Sequence, residues 1–315
     1  MLAAVAIAIN MFKVPPTMGL LMADLGIGPA LGGWLMTVPT VTGLVLALPS
    51  GGLTDKFGPK KVGLFAILSA AVGSLIGSFA PNIELLLFSR FVEGLSFALI
   101  GVAVPAIIAL WFSPEKSGAP MAIWSGWVPI GMLAIFTGAN LFIAADDPGT
   151  WANVWWLSTA LLVAAAVLYL VFVKAPEGYA AEDAPKISLV EGMKSPSTWL
   201  LAVVFAMFAF IMYAVSTFAP TYCMEELGYS LEDSNLYSSL ITVGMILGVV
   251  LMTPVLNKVV RLKSRIWLLV ASMVLTALIA VLAFNVPPSA TVAVMIITGI
   301  VLQLVPAVIW PIAPS

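Results

Sequence analysis

The sequence predicts an all-α integral membrane protein, and three observations carry that reading. Of the 315 residues 62% are apolar and 9% charged, against about 25% charged in an ordinary soluble domain, so the chain cannot cover a water-facing surface. Its mean hydropathy is +1.12. The apolar residues fall in continuous runs of roughly 20, the length that crosses a hydrocarbon core of about 30 Å at 1.5 Å per residue. Barrel strands would instead alternate in pieces of about ten residues.

Ten spans follow from that window: 1–22, 29–52, 61–80, 84–112, 118–144, 151–173, 198–222, 234–256, 266–284 and 289–310. The first opens at Met1 with no basic leader and no small-residue cleavage site after a short apolar core, which argues against a cleaved signal peptide. A start upstream, or a fragment, is expected instead. Pro15 and Pro16 should break or kink this span and expose backbone polar groups. The Gly and Ala residues of the third and fifth spans suit close helix packing. Trp151, Trp155 and Trp156 open the sixth span and read as an interfacial aromatic belt.

Orientation follows from Lys and Arg. With the N-terminus in the cytoplasm, the inward loops hold Lys56, Lys60, Lys61, Lys116, Lys174, Lys186, Lys194, Lys258, Arg261, Lys263 and Arg265, eleven of the 13 basic residues. The outward loops hold none, though they carry Asp24, Glu84, Asp146, Asp147, Glu225, Glu226, Glu232 and Asp233. The longest polar stretch, 174–197, mixes Pro, Gly, Ser and charge, and reads as a cytoplasmic linker. Ile187, Ser188, Leu189 and Val190 within it suit a short interfacial helix. The domains are therefore a six-helix bundle over 1–173, the linker, and a bundle of about four helices over 198–315.

Composition removes whole classes of chemistry. The net charge of −2 offers nucleic acid no electrostatic footing. With no histidine and a single cysteine, Cys223, there is no Ser-His or Cys-His dyad, HExxH zinc site, histidine proton relay or internal disulfide. No pair of aspartates lies inside the spans to serve an intramembrane protease, and no Walker loop binds ATP. No enzyme activity, cofactor or metal is expected.

The loop after span two carries Gly51, Asp55, Lys56, Gly58, Lys60 and Lys61 in the pattern Gly-x-x-x-Asp-Lys-x-Gly-x-Lys-Lys. The loop after span eight repeats it weakly: an offset of 202 pairs Asp55 with Asn257, Lys56 with Lys258 and Lys61 with Lys263. Six spans, a linker and a related set of spans is how repeat transporters are built. Here the sequence resembles the major facilitator superfamily, whose signature between helices two and three has this pattern. Arg90 with Gly94 in span four, and Trp111, Phe112, Ser113, Pro114, Glu115 and Lys116 after it, are similar to further family features. The family's glycine-rich antiporter pattern is only partly present, as Gly126, Pro129, Gly131 and Gly138. Members usually have twelve helices, so the resemblance implies a fold of major-facilitator type lacking its last two. It also implies that the signature loop is a cytoplasmic latch holding the two bundles together in the outward-open state. Asp55 would accept charge-assisted hydrogen bonds there. The competing reading is a set of lysines anchoring the loop to anionic lipid.

Lys13, Arg90 and Glu93 fall inside apolar spans. A charge at that depth costs at least about 2.5–3.5 kcal/mol, so it faces a cavity or a partner. Lys13 lies roughly 18 Å along the first span, and Glu93 roughly 13–14 Å from the outward end of the fourth, which puts both near the midplane. Arg90 shares a face with Glu93 at i, i+3, and Asn10 stands three residues before Lys13. In the resembled family helices one and four line a central cavity. Lys13, Arg90 and Asn10 are therefore candidate contacts for an anionic solute, with Glu93 as counter-charge and proton carrier. The alternative is a static Arg90–Glu93 pair, with Lys13 snorkelling. Trp124 and Trp127 share a face of span five and are candidates either for the cavity or for a cytoplasmic aromatic belt. Tyr213 and Gln303 are isolated polar side chains at mid-depth, candidates for the solute or for helix–helix hydrogen bonds.

The function predicted is a secondary active transporter moving a small anionic solute by alternating access, with proton symport and driven exchange both open. A passive facilitator and a non-transporting remnant are the alternatives. The expected partners are the solute, a proton or counter-solute, and the lipid bilayer, with the chain monomeric in the cell membrane.

Overall fold

The computed structural model describes residues 1–113, 118–174, 194, 196–258, 262–285 and 287–309. Contacts divide the chain into two compact units, Met1–Ile187 and Ser188–Ser315. The described residues are helical apart from short turns and an isolated bridge between Ala144 and Asp147. Each of the ten predicted apolar segments is mainly helical where described, and among the described residues eight are long and apolar enough to cross a membrane.

The first unit contains α1 (Leu2–Met11), α2 (Val14–Leu25), α3 (Pro29–Phe57), α4 (Pro59–Ser78), α5 (Ile83–Trp111), α6 (Gly118–Ser125), α7 (Trp127–Gly138) and α8 (Trp151–Phe172). The first predicted span is interrupted at Phe12 and Lys13, immediately before Pro15 and Pro16, which have no N–H for the preceding turn. The fifth is split at Gly126, whose N–H turns back to the Ile123 carbonyl at 3.2 Å. Pro129 has no N–H to offer the carbonyl of Ser125, four residues earlier, which favours the break. Helix ends carry ordinary signals. Gly26 closes α2 at φ +63, and Asn82 caps α5 by accepting from the Leu85 N–H at 3.0 Å. One residue, Gly58 at φ +82, makes the turn from α3 to α4, which is why the signature needs glycine there.

α4 packs against α5 and α8, α5 against α3, and α1 against α7 and α8. Small residues permit this. A methyl on Gly94 of α5 would lie 2.7 Å from the Pro39 carbonyl oxygen of α3, and one on Gly131 of α7 would meet α1 at the Val5 carbonyl, 3.0 Å away. Ile7, Ile67, Leu99, Ile100 and Leu162 form the core, with Trp124 and Trp127 stacked at 5.2 Å against it. Leu44, Phe65, Phe88, Val163 and Phe172 lie outward and exposed, the arrangement of a protein whose solvent is lipid.

The second unit contains α9 (Pro196–Glu225), α10 (Leu231–Lys258), α11 (Leu262–Leu282) and α12 (Thr291–Ile309). Gly228, at φ +69, turns the chain after α9. Ser230 caps α10: the Asp233 N–H donates to Ser230 Oγ at 3.1 Å, and that hydroxyl donates to the Asp233 carboxylate at 2.9 Å. α10 and α12 meet through glycines. A methyl on Gly244 would overlap the Ile296 carbonyl, and one on Gly299 the Ile241 carbonyl. The expected interfacial helix at 187–190, nearly all of the 174–197 linker, and Pro114, Glu115 and Lys116 of the loop after α5 lie outside the described residues.

Candidate functional site

The break between α1 and α2 puts Lys13 where the helix axis is interrupted, and its side chain turns into the seam with α4, α5 and α8. Lys13 Nζ donates to Asn10 Oδ1 at 2.7 Å, to Ser74 Oγ of α4 at 2.8 Å and to Glu93 Oε1 of α5 at 2.8 Å. The ammonium also lies 4.4 Å from the centroid of the Trp155 ring of α8. All three of its donors are engaged. Lys13 and Arg90 are 0% exposed and Glu93 1%, so Lys13 does not snorkel.

Glu93 bridges the two cations. Its second oxygen, Oε2, accepts from Arg90 Nη1, so both ion pairs meet on one carboxylate. Arg90 also donates from Nε to the Leu35 carbonyl at 2.8 Å, from Nη1 to the Asn10 carbonyl at 3.2 Å and from Nη2 to the Met11 carbonyl at 2.9 Å. Met11 Sδ and Met36 Sδ stand 3.7 and 3.9 Å from Nη2. Every guanidinium nitrogen thus has a protein partner. With all three groups ionised, two cations around one carboxylate give the cluster a formal excess of one positive charge, enclosed in protein. That is an expensive arrangement unless hydrogen bonds and aromatic faces spread the charge. Ser74 Oγ, which accepts from Lys13, donates in turn to the Trp155 carbonyl at 3.0 Å.

The structure therefore gathers Asn10, Lys13, Arg90 and Glu93 into one cluster. Ser74 and Trp155 join it without having been candidates on the sequence. Trp155 was read as a belt residue, but it is buried, as is Trp151, which donates from Nε1 to Asp24 at 2.7 Å. The aromatic run there follows helical periodicity, so Trp151 and Trp155 face inward together while Trp156 is exposed. The small residues Gly73, Ser74 and Gly77 were the available signal for Trp155, because a wide ring needs a helix face without side chains. A methyl on Gly77 would lie 2.5 Å from Trp155 Nε1.

The other candidates lie elsewhere. Trp124 and Trp127 are buried in the apolar core, where Trp127 also meets Phe97 at 5.1 Å. Tyr213 is half-buried in α9, and Gln303 is buried in α12, beside Gly248 of α10. Of the signature loop, Gly51 and Asp55 are half-buried in α3, Lys56 is exposed with Nζ 5.3 Å from the Phe57 ring centroid, Lys60 is half-buried and Lys61 exposed. No group of three or more metal-ligating side chains occurs among the described residues.

A family model described as Major Facilitator Superfamily matches residues 1–315. A Mycobacterium tuberculosis protein named "Probable nitrate/nitrite transporter" is 25% identical over 273 residues, 84% of this chain and 66% of its own length. The galactose-proton symporter of Escherichia coli is 28% identical over 163 residues, 50% of this chain and 34% of its own. The chain thus spans less than two thirds of the length of either relative. A crystal structure of a D-xylose-proton symporter superposes with a TM-score of 0.68 at 12% identity, covering 98% of this chain and 79% of that one. That likeness concerns the fold.

Proposed function

The chain belongs to the Major Facilitator Superfamily, and from that premise we propose that it is a secondary active transporter carrying a small anionic solute by alternating access, coupled to protons. One observation supports the cargo's sign and the coupling: Lys13 and Arg90 share the single carboxylate of Glu93 in an enclosed cluster with one positive charge in excess. With every donor of Lys13 engaged, an arriving anion has to displace Glu93. A proton on Glu93 releases its hold on the ammonium, and the anion takes its place. The cluster then carries the same net charge loaded as empty. A proton alone would leave two uncompensated buried cations, and an anion alone would set two negative charges against the same donors. Both are costly at low dielectric, so the two travel together.

In this reading Lys13 and Asn10 meet the solute and Glu93 carries the proton. Tyr213 and Gln303 are candidate solute contacts of the second unit, while Trp124 and Trp127 serve packing. The bundles over 1–173 and 198–315 are joined by a cytoplasmic linker over 174–197. The N-terminus is cytoplasmic, and Asp55 with Lys56, Lys60 and Lys61 forms a gating latch on that side. The nitrate/nitrite name of one relative supports nitrate as the first probe.

The test is uptake of nitrate and a panel of small carboxylates by proteoliposomes holding this chain, with and without an inward proton gradient. Accumulation that requires the gradient supports the proposal. Equilibration indifferent to it makes the protein a facilitator. An absence of both uptake and binding marks a chain that does not transport.

A further inference from the structure

Arg90 donates to two carbonyls that share one property. Met11 is four residues before Pro15, and Leu35 is four residues before Pro39, which lies inside α3. In a continuous helix the N–H of residue i bonds the carbonyl of residue i−4. Proline has no N–H, so Pro15 and Pro39 delete the bonds that Met11 and Leu35 would accept. In a water-filled environment such carbonyls are solvated, but among apolar helices a neighbouring donor has to supply the missing bond. Arg90 supplies both, at 2.9 Å from Nη2 and 2.8 Å from Nε. Nη1 completes the arrangement on the Asn10 carbonyl, the last turn before the break.

We propose that Arg90 is a backbone clip rather than a solute ligand: one guanidinium replaces the two helix hydrogen bonds removed by Pro15 and Pro39, and so ties the break between α1 and α2 and the proline turn of α3 to α5. It is a positioning residue. Its planar fork suits the task, because three donors in one plane can reach three carbonyls on two helices, whereas a lysine ammonium is a single point. Gly94, one turn along α5, lets α3 come close enough at Pro39 for the Nε bond to form. The clip meets the charged cluster at a single atom: Nη1 serves both the Asn10 carbonyl and Glu93. Any event that frees Glu93 therefore changes the bonding at the helix break. The clip itself does not depend on what the protein carries.

The test is a double-mutant cycle on the purified chain in detergent, read as melting temperature. Arg90→Gln should melt at least about 5 °C lower than the parent, the expected size for losing several buried charge-assisted bonds. Pro15→Ala and Pro39→Ala restore the deleted N–H groups. The clip requires that they raise the melting temperature in the Arg90→Gln background more than in the parent. Arg90→Lys, which keeps the charge beside Glu93 but cannot span the carbonyls, should be rescued in the same way, and carries the cycle if Arg90→Gln does not fold. Equal shifts from the proline substitutions in the presence and absence of Arg90 would overturn the proposal. Transport plays no part in this readout, so it stands or falls separately from the cargo.

Discussion

Gly73 of α4 and Glu93 of α5 leave no room for a methyl group between them: a Cβ on Gly73 would sit 2.6 Å from Glu93 Cγ and 2.9 Å from its backbone nitrogen. The carboxylate shared by the two cations is held in place by the absence of a side chain on the facing helix. Gly73→Ala therefore pushes on Glu93 itself. It should cost about 1–3 kcal/mol, the usual range for overpacking, and weaken both ion pairs. Thermal unfolding in detergent measures the stability loss, and a substitution without effect would mean that the helices separate freely at this seam.

The three charges predict an ordered series. Glu93→Gln leaves two buried cations with no carboxylate, and should destabilise by about 3–5 kcal/mol, as breaking buried pairs does. Lys13→Met leaves the Arg90–Glu93 pair neutral and should cost less. The double variant returns the cluster to a single excess positive charge, and should be more stable than Glu93→Gln alone. Melting temperatures of the four chains check the order. If the double variant is the least stable, the excess charge is not what governs the cluster.

Transport separates the roles of Lys13 and Glu93. Lys13→Ala should abolish anion uptake into proteoliposomes and Lys13→Arg mostly impair it, because guanidinium keeps the charge but not the compact geometry. Glu93→Gln should lose accumulation driven by the proton gradient while retaining solute exchange. Normal uptake in Lys13→Ala removes Lys13 from the solute path, and unchanged accumulation in Glu93→Gln removes Glu93 from the proton path.

The α3–α4 turn tests the signature loop. Gly58 has φ +82 and ψ 146, close to the extended positive-φ region that essentially only glycine enters, and a side chain held there costs about 1–3 kcal/mol. Gly58→Ala should lower stability by that amount, whereas Gly51→Ala, whose new methyl would meet nothing within 4 Å, should leave it within about 0.5 kcal/mol. Paired unfolding curves distinguish the two glycines.

In the second unit, Gly299→Leu should force α10 and α12 apart, because even a methyl there would overlap the Ile241 carbonyl. A loss of more than about 3 kcal/mol, or failure to fold, is expected. Gly138→Ala, with open space around the added methyl, is the matched control in the first unit.

Much of the architecture was legible from residue order, because lipid imposes a requirement that can be counted along the chain. A run of about 20 apolar residues must be helical to satisfy its own backbone. The split of the first span before Pro15 was readable for the same reason, and so was the approximate depth that brings Lys13 and Glu93 level. The break of the fifth span at Gly126 was not anticipated, since hydropathy averages over a one-residue interruption.

The amino-acid order by itself determined that the chain is a helical membrane protein of a recognisable family, with three ionisable groups placed at membrane depth. Tertiary structure alone decided what those groups do to one another: that Glu93 is shared between Lys13 and Arg90, that the Trp155 ring covers the ammonium, and that Arg90 supplies bonds to the carbonyls of Met11 and Leu35. Helical periodicity records depth and face, but not which face meets which. That choice depends on where glycine lets two backbones approach and where proline leaves a carbonyl without a donor.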